Sequence, residues 1–384
     1  MPENAKTKEI SASCDLNFFV GTTAELIKLL PIMAALKASN TPFEVIASGQ
    51  NNIADSELLK MVFPAVRLKI LSSGPTRPSA PSLFFWFLKT LLPNLFGHSF
   101  RTKKNLDHSV KMSKKMIVHG DTISTLMGAL LARSNGYVLC HVEAGLRSFN
   151  LLRPFPEEIC RVIVSHLAQE SYCPNEWAVK NLHGQGGMKI YDTRENTLVD
   201  SLQLALMHAP TAEVFTKLPP RFFLFVIHRQ ENLFDTEFVK KTVDLVIEQS
   251  RTIPAIMILH EPTRVVLEKL DLMDKLLAAK IMLLPRMPYI DFTHLLSRCE
   301  FILTDGGSNQ EECYYLGIPC LILRSETERI EGLNHNAVLS GKNLAVIKEF
   351  LSQWEKYRKP PIVPNERPSQ IIAHELKSTG ETHP

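Results

Sequence analysis

The sequence predicts an α/β protein made of two doubly wound halves with a cleft between them, and three observations predict it. Short apolar runs of strand length alternate with helical periods along most of the 384 residues, the pattern of parallel sheets built from βαβ units. That length is enough for two domains, each burying its own core. Acidic residues then follow directly behind two successive strands, Asp121 after Ile117-Val118-His119-Gly120 and Glu143 after His141-Val142. Open α/β sheets bind ligands outside the carboxyl ends of their strands, so both acids face the place where chemistry is expected.

In the first half, residues 15–22 read as a buried strand broken at Gly21. Leu26, Leu29, Leu30, Met33 and Leu36 give residues 24–38 a helical period. Strand 43–47, helix 53–62 and a short strand at 66–70 follow. Residues 83–96, LFFWFLKTLLPNLF, are apolar and aromatic, with Arg101, Lys103 and Lys104 close behind. The run is too short to span a bilayer and is interrupted by Lys89 and Pro93. It is expected to be a helix buried in a domain or subunit interface, with contact to a membrane surface or a partner as the alternative. Strand 116–118, helix 122–134, strand 137–142, helix 156–168 and a strand at 171–173 complete this half.

A polar, Pro-containing connection is expected from about 200 to 220. The second half repeats the cycle with strand 222–227, helix 236–250, strands 255–259 and 281–284, and helix 289–297. Strand 300–303, helix 308–315 and a last strand at 321–323 follow. Two helical patterns within 344–378 flank the Pro360-Pro361 break. The expected division is a first domain at 1–205 carrying the acids, a nucleotide-binding domain at 206–360, and a tail at 361–384 packing back on the first.

A net charge of +3 gives no ground for nucleic-acid binding or an acidic partner, although a phosphate-bearing ligand needs only a local basic pocket. The seven cysteines form no CxxC pair and sit mostly in apolar or helical contexts. They are expected to be reduced thiols in a cytoplasmic protein. The first residues, MPENAKTKEISASCDLNFF, show no apolar core of signal-peptide length. No metal-ligand cluster is visible.

The second half carries a phosphate signal in Leu303-Thr304-Asp305-Gly306-Gly307-Ser308, where a strand ends, glycines allow close backbone approach and a helix begins. Free N–H groups at a helix start, with the positive end of its dipole, suit a pyrophosphate. Glu312, one turn after Ser308, is placed to accept hydrogen bonds from ribose hydroxyls. Gly21 to Lys28 makes a comparable strand–turn–helix in the first half, with Lys28 placed to reach a phosphate or simply to be solvated. His228 directly follows the strand FFLFVI and is a candidate acid, base or phosphate donor near neutral pH, or a structural residue. His260, ending the next strand, is in second rank.

Together these stretches resemble the non-hydrolysing UDP-N-acetylglucosamine 2-epimerases and, beyond them, the two-domain glycosyltransferase-B fold of Rossmann-like halves. The resemblance runs from about residue 16 to 378. It rests on HGDT at 119–122, HVEAGLRS at 141–148, PFPEE with Arg161 at 154–161, HRQEN at 228–232, ILTDGG with QEE at 302–312, and TER at 327–329. It implies that UDP leaves C1 of the sugar as a proton leaves C2, and that UDP re-adds to the 2-acetamidoglucal after a proton returns on the other face. The products serve polysaccharide or cell-surface sugar synthesis, and neither nicotinamide nor metal is needed. Asp121, Glu143 and Glu157 would be the acid/base carboxylates, crowded enough to raise one another's pKa, with His228 on the phosphate side. Lys28, Gly306, Gly307, Ser308, Glu312 and Arg329 match nucleotide-diphosphate positions, and Phe292 matches the residue against the uracil ring. A homodimer is also implied.

Three departures mark a divergent branch. The family's phosphate-binding arginine and its proline in GTRPE are here Thr23 and Ala24, its TDSGG is here TDGGS, and its GQHRE-type segment, used where a second substrate molecule binds as activator, is here Gly49-Gln50-Asn51-Asn52. The first loses one charge-assisted contact, of order 1.5–3 kcal/mol. A hydrolysing epimerase, a glycosyltransferase-B transferase and a silent nucleotide-sugar-binding protein are the alternatives. Three placed carboxylates with His228 are more acid/base equipment than transfer needs.

Overall fold

The computed structural model describes residues 15–64, 66–75, 80–96, 114–151, 154–327 and 329–378. Arg101, Lys103 and Lys104 lie outside them. The chain forms two compact units, one of residues 1–197 with 366–384 and one of residues 198–365.

The first unit runs β1 (Leu16–Val20), α1 (Thr23–Ala38), β2 (Phe43–Ala47), α2 (Glu57–Val62), β3 (Leu68–Ile70), α3 (Ala80–Phe96), β4 (Lys115–His119) and α4 (Ile123–Ser134). It continues with β5 (Val138–Val142), α5 (Glu157–Leu167), β6 (Glu170–Cys173), α6 (Glu176–Leu182) and β7 (Lys189–Asp192). Its strands order as β3-β2-β1-β4-β5-β6-β7, each pair parallel. The order reverses between β1 and β4, which makes the crevice outside their carboxyl ends the expected ligand position. Both central strands are buried along their length, because helices cover both faces of a parallel sheet.

The second unit repeats the arrangement with α7 (Leu198–Met207), β8 (Phe223–Val226), α8 (Gln230–Leu233), α9 (Thr236–Ser250), β9 (Ala255–Leu259), α10 (Glu261–Lys269) and α11 (Met273–Ala278). Then come β10 (Met282–Pro285), α12 (Tyr289–Arg298), β11 (Ile302–Thr304), α13 (Gly307–Leu316), β12 (Cys320–Ile322), β13 (Ala337–Leu339) and α14 (Leu344–Gln353). Its parallel sheet orders as β10-β9-β8-β11-β12-β13, with the reversal between β8 and β11. Phe223 stacks on Phe301 at 4.7 Å and Trp354 closes over Phe301 at 5.2 Å, so one aromatic column ties the sheet to the helix layer. Each fully buried aromatic stabilises the unit by about 2–3 kcal/mol. Finally α15 (Pro368–Lys377) returns to the first unit and packs on α1, where Lys115 Nζ lies 3.4 Å from the Glu375 carbonyl.

Several expectations need correction. Residues 198–207 are a helix, not part of a connection, because Leu198, Val199, Leu202 and Ala205 bury one face that Asp200, Ser201 and Gln203 obscure in the sequence. Residues 321–323 are not the last strand, since the three-residue β13 pairs with β12 at the sheet edge. The segment 53–62 is interrupted at Ser56, whose hydroxyl caps α2 by accepting from Leu59 N–H. In α3, Trp86, Thr90 and Leu91 are buried whereas Phe84, Phe85 and Leu92 are exposed, so among the described residues one face of the aromatic run is covered and the other is not. Among the described residues no helix is long and apolar enough to cross a membrane.

Candidate active site

The first unit gathers its acids where β4 and β5 end. Behind β4, Gly120 adopts a φ of 69°, a left-handed turn that a side chain would strain, and this lets Asp121 precede the Thr122 cap of α4. Behind β5, Glu143 itself takes a φ of 60°, and a non-glycine residue held there costs about 1–2 kcal/mol. Such strain is retained where its surroundings over-determine it, often at functional sites.

A lysine and a histidine surround Glu143. Lys28 Nζ lies 2.7 Å and His119 Nε2 3.0 Å from the same Oε2 of Glu143, and all three side chains are nearly enclosed. Lys28 therefore rests on an acid rather than on solvent. His141 holds the adjacent turn, with Nε2 at 2.7 Å from the Gly120 carbonyl. A carbonyl only accepts, so Nε2 carries the proton. Burial keeps the His141 pKa down at about 4 and the ring neutral.

Glu157 opens α5, and Glu158 beside it is completely buried. Arg161, one turn on, forks between Glu158 and the turn after β4: Nη2 lies 2.6 Å from Asp121 and Nη1 3.3 Å from Glu158. Glu158 also accepts from Arg147 Nε at 2.6 Å and from the backbone N–H groups of Ser148 and Phe149. Asp121 is thereby tied to the helix that carries Glu157. Burial first, then the Asp121 and Glu157 carboxylates, push the Cys160 thiol up to about 12, so both acids lie near that sulfur. One oxygen of Glu157 is buried without a hydrogen-bond partner among the described residues, a state that folding alone does not favour.

Beside the β1–α1 turn, a cavity of about 400 Å³ is lined by Gly49, Gln50, Asn51, Asn52, Ser72 and Gly74, with no charged side chain among its described walls.

In the second unit, His228 follows β8 and Asp305 follows β11, the two strands of that reversal. Asp305 is buried and accepts from the N–H groups of His228 and Arg229 and from Asn232 Nδ2, all within 3.0 Å. Burial alone would raise its pKa, but these contacts and the His228 ring at 3.1 Å hold it below the usual range. His228 stacks on His260 at 4.7 Å. Burial, with His228 and Arg286 nearby, lowers the His260 pKa to about 4, leaving it neutral.

Around these, Gly306 caps the start of α13, Gly307 opens it and Ser308 is exposed in its first turn. A Cβ on Gly306 would sit 2.6 Å from Asn309 Oδ1 and 3.2 Å from His228 Cε1, so a side chain there would displace Asn309 and crowd His228. Glu312 accepts from Asn309 Nδ2 at 3.0 Å, which aligns it with the helix start. Arg329 pairs with Glu311 at 2.6 Å. Phe292 lies half-buried on α12 and packs against the core of this unit. Among the described residues no three His, Cys, Asp or Glu side chains are arranged to hold a metal ion.

The structure thus brings Lys28 onto Glu143 and links Asp121 to the Glu157 helix. It groups His228 with Gly306, Gly307, Ser308 and Glu312 at the second reversal. The sequence marks His119, His141, Glu158 and Asp305 only as parts of their stretches, and Arg161 likewise, without giving any of them a role. Their only sequence signal is position, at or next to the strand ends and one helical turn from an acid.

Residues 110–362 match the family model described as UDP-N-acetylglucosamine 2-epimerase. The UDP-N-acetylglucosamine 2-epimerase of Methanocaldococcus jannaschii is 31% identical over 366 residues, covering 90% of this chain and 94% of that protein. Its crystal structure in complex with UDP-GlcNAc and UDP superposes with a TM-score of 0.73 at 29% identity, covering 94% of this chain and 99% of that one. The UDP-GlcNAc 2-epimerase of Neisseria meningitidis bound to UDP-GlcNAc also gives a TM-score of 0.73, at 25% identity over 94% of this chain and 98% of that one.

Proposed function

Because the chain belongs to the UDP-N-acetylglucosamine 2-epimerase family, we propose that it interconverts UDP-N-acetylglucosamine and UDP-N-acetylmannosamine by elimination and re-addition of UDP. A base takes the C2 proton, the C1–O bond breaks with its electron pair going to the β-phosphate oxygen of UDP, and a C1=C2 double bond forms. A proton then reaches C2 from the opposite face while the UDP oxygen returns to C1. The C2 proton is weakly acidic, so a carboxylate must be held against it and the leaving diphosphate stabilised.

The observation that carries this reading is the set of acids behind β4 and β5 and at the start of α5, each fixed by a cation or left partnerless in a buried place. Asp121, Glu143 and Glu157 are the proton-transfer carboxylates. Lys28 and His119 fix one Glu143 oxygen, and Arg161 fixes Asp121. His228 meets the diphosphate, which takes the N–H groups of Gly307 and Ser308 at the start of α13, while Gly306, whose own N–H is held by Thr304 Oγ1 at 3.0 Å, allows the close approach. Glu312 accepts from the ribose, Arg329 contributes charge and Phe292 lies against the uracil. The two solved relatives bound to UDP-GlcNAc support a UDP-sugar substrate. A cytoplasmic homodimer is part of the proposal. Its reduced state is supported by six buried free cysteines among the described residues.

Incubation with UDP-N-acetylglucosamine in heavy water, followed by NMR, should give deuterium at C2, both epimers and little free UDP. Free UDP with N-acetylmannosamine would mean hydrolysis, and no exchange would overturn the reaction. The same sample in size-exclusion light scattering should show twice the 43.3 kDa chain mass.

A further inference from the structure

Two turns of the first unit are in unusually close contact. A Cβ on Gly21, in the β1–α1 turn, would lie 2.1 Å from Cβ of Ser124, just inside α4. Glu25 sits at the third position of α1 behind the Thr22 cap and is only 3% exposed. An acid at this position ordinarily completes a capping box by reaching back to the N–H of the cap residue. Glu25 reaches past the cap residue to two turns. Its Oε2 accepts from Gly21 N–H at 2.7 Å, and its Oε1 accepts from Thr122 Oγ1 at 2.6 Å.

Thr122 is no passive partner. The same hydroxyl caps α4 by accepting from Thr125 N–H at 3.1 Å, and Asp121 is the residue immediately before it. Lys28 lies three residues after Glu25 on α1, with its ammonium on Glu143. One buried carboxylate thus touches the turn that starts the Lys28 helix and the turn that carries Asp121. A local cap would need only the first.

We propose that Glu25 is a positioning residue: it bolts these two turns together and so sets the spacing between the Lys28–Glu143 and Asp121–Arg161 pairs. The inference rests on the reaction proposed above. Both of its oxygens accept, from Gly21 N–H and from the Thr122 hydroxyl of a different loop, a pattern that an amide keeps only by reversing the hydroxyl. With Glu25→Gln, the amide oxygen can keep Gly21 N–H, but the NH2 then donates to Thr122 Oγ1, which reverses that hydroxyl, competes with the Thr125 N–H it caps and loosens the link to the second turn.

Misplacement of reacting groups by about 1 Å costs up to about 10²-fold in rate. Glu25→Gln should therefore lower kcat for C2 exchange by about ten- to a hundredfold. KM and UDP affinity should stay within about twofold, because ground-state binding is untouched. Thr122→Val should give a similar loss, and the double variant little more than either, since the two groups act as one unit. Hydrogen exchange read by mass spectrometry should rise in peptides spanning both 21–25 and 119–126.

Circular dichroism separates folding from positioning. A fall in kcat that only tracks the fraction unfolded overturns the inference, as does unchanged exchange at 119–126 in Glu25→Gln. Wild-type protein that exchanges deuterium while Glu25→Gln keeps full kcat overturns Glu25 alone. Wild-type protein that shows no exchange overturns the reaction, and Glu25's part in it.

Discussion

Glu143→Gln should reduce deuterium exchange at C2 of UDP-N-acetylglucosamine by about 10²–10⁴-fold, the range that a positioned acid or base contributes. Glutamine keeps the shape of the side chain but cannot take a proton from carbon. The partners that fix its Oε2, Lys28 at 2.7 Å and His119 at 3.0 Å, stay where they are, so the loss reads the chemistry of the carboxylate. Asp121→Asn should act in the same direction, because Asp121 is held by Arg161 at 2.6 Å in the neighbouring turn. UDP affinity, read by calorimetry, should change little in either variant, as the proposed diphosphate groups around Gly306 lie in the other unit. Near-full turnover by either variant would remove that acid from the assignment.

The acids were legible because their signal is local. A strand-length apolar run followed by an acid places that acid at a sheet's carboxyl end whatever the rest of the chain does. The same logic exposed His228 and the glycines before α13. Lys28 shows where local signals stop. Its spacing put it on the first turns of a helix with phosphate or solvent in reach, and Glu143 enters only in three dimensions, where the turn after β5 comes within 2.7 Å of it. Arg161 failed in the same way, since its fork joins α5 to the turn after β4, a contact across forty residues that no periodicity records.

The fold errors have related causes. Three-residue β13 is too short to carry a period of two, and it is a strand only because β12 lies alongside it. In α7 the apolar face is interleaved with Asp200, Ser201 and Gln203, which read as loop until the buried face is seen. Sheet-centre strands suffer neither problem. Leu16–Val20 and Lys115–His119 are buried on both faces and read as largely apolar runs, in which Lys115 has Glu170 at 3.0 Å, Asn17 reaches the Lys115 carbonyl and His119 lies against Glu143.

Glu158→Gln is expected to destabilise the first unit by about 3–5 kcal/mol, the cost of breaking a buried ion pair from one side. Glu158 is fully buried and gathers Arg147, Arg161 and two backbone N–H groups on its two oxygens. An amide offers one acceptor oxygen and turns its NH2 toward donors, leaving a guanidinium without its counter-charge. Burial works to raise the Glu158 pKa, but the contacts from Arg147, Ser148 and Arg161 win and lower it. A carboxylate depressed in the folded state contributes its full stability above its unfolded pKa of about 4.3, and loses it as pH falls through the lower folded value. Urea midpoints for wild type and Glu158→Gln should therefore differ most near neutrality and converge in acid. Activity should fall further than folding does, because Arg161 released from Glu158 no longer fixes Asp121. A variant that unfolds at the wild-type midpoint at pH 7 would show that the network is not what holds α5 against β4.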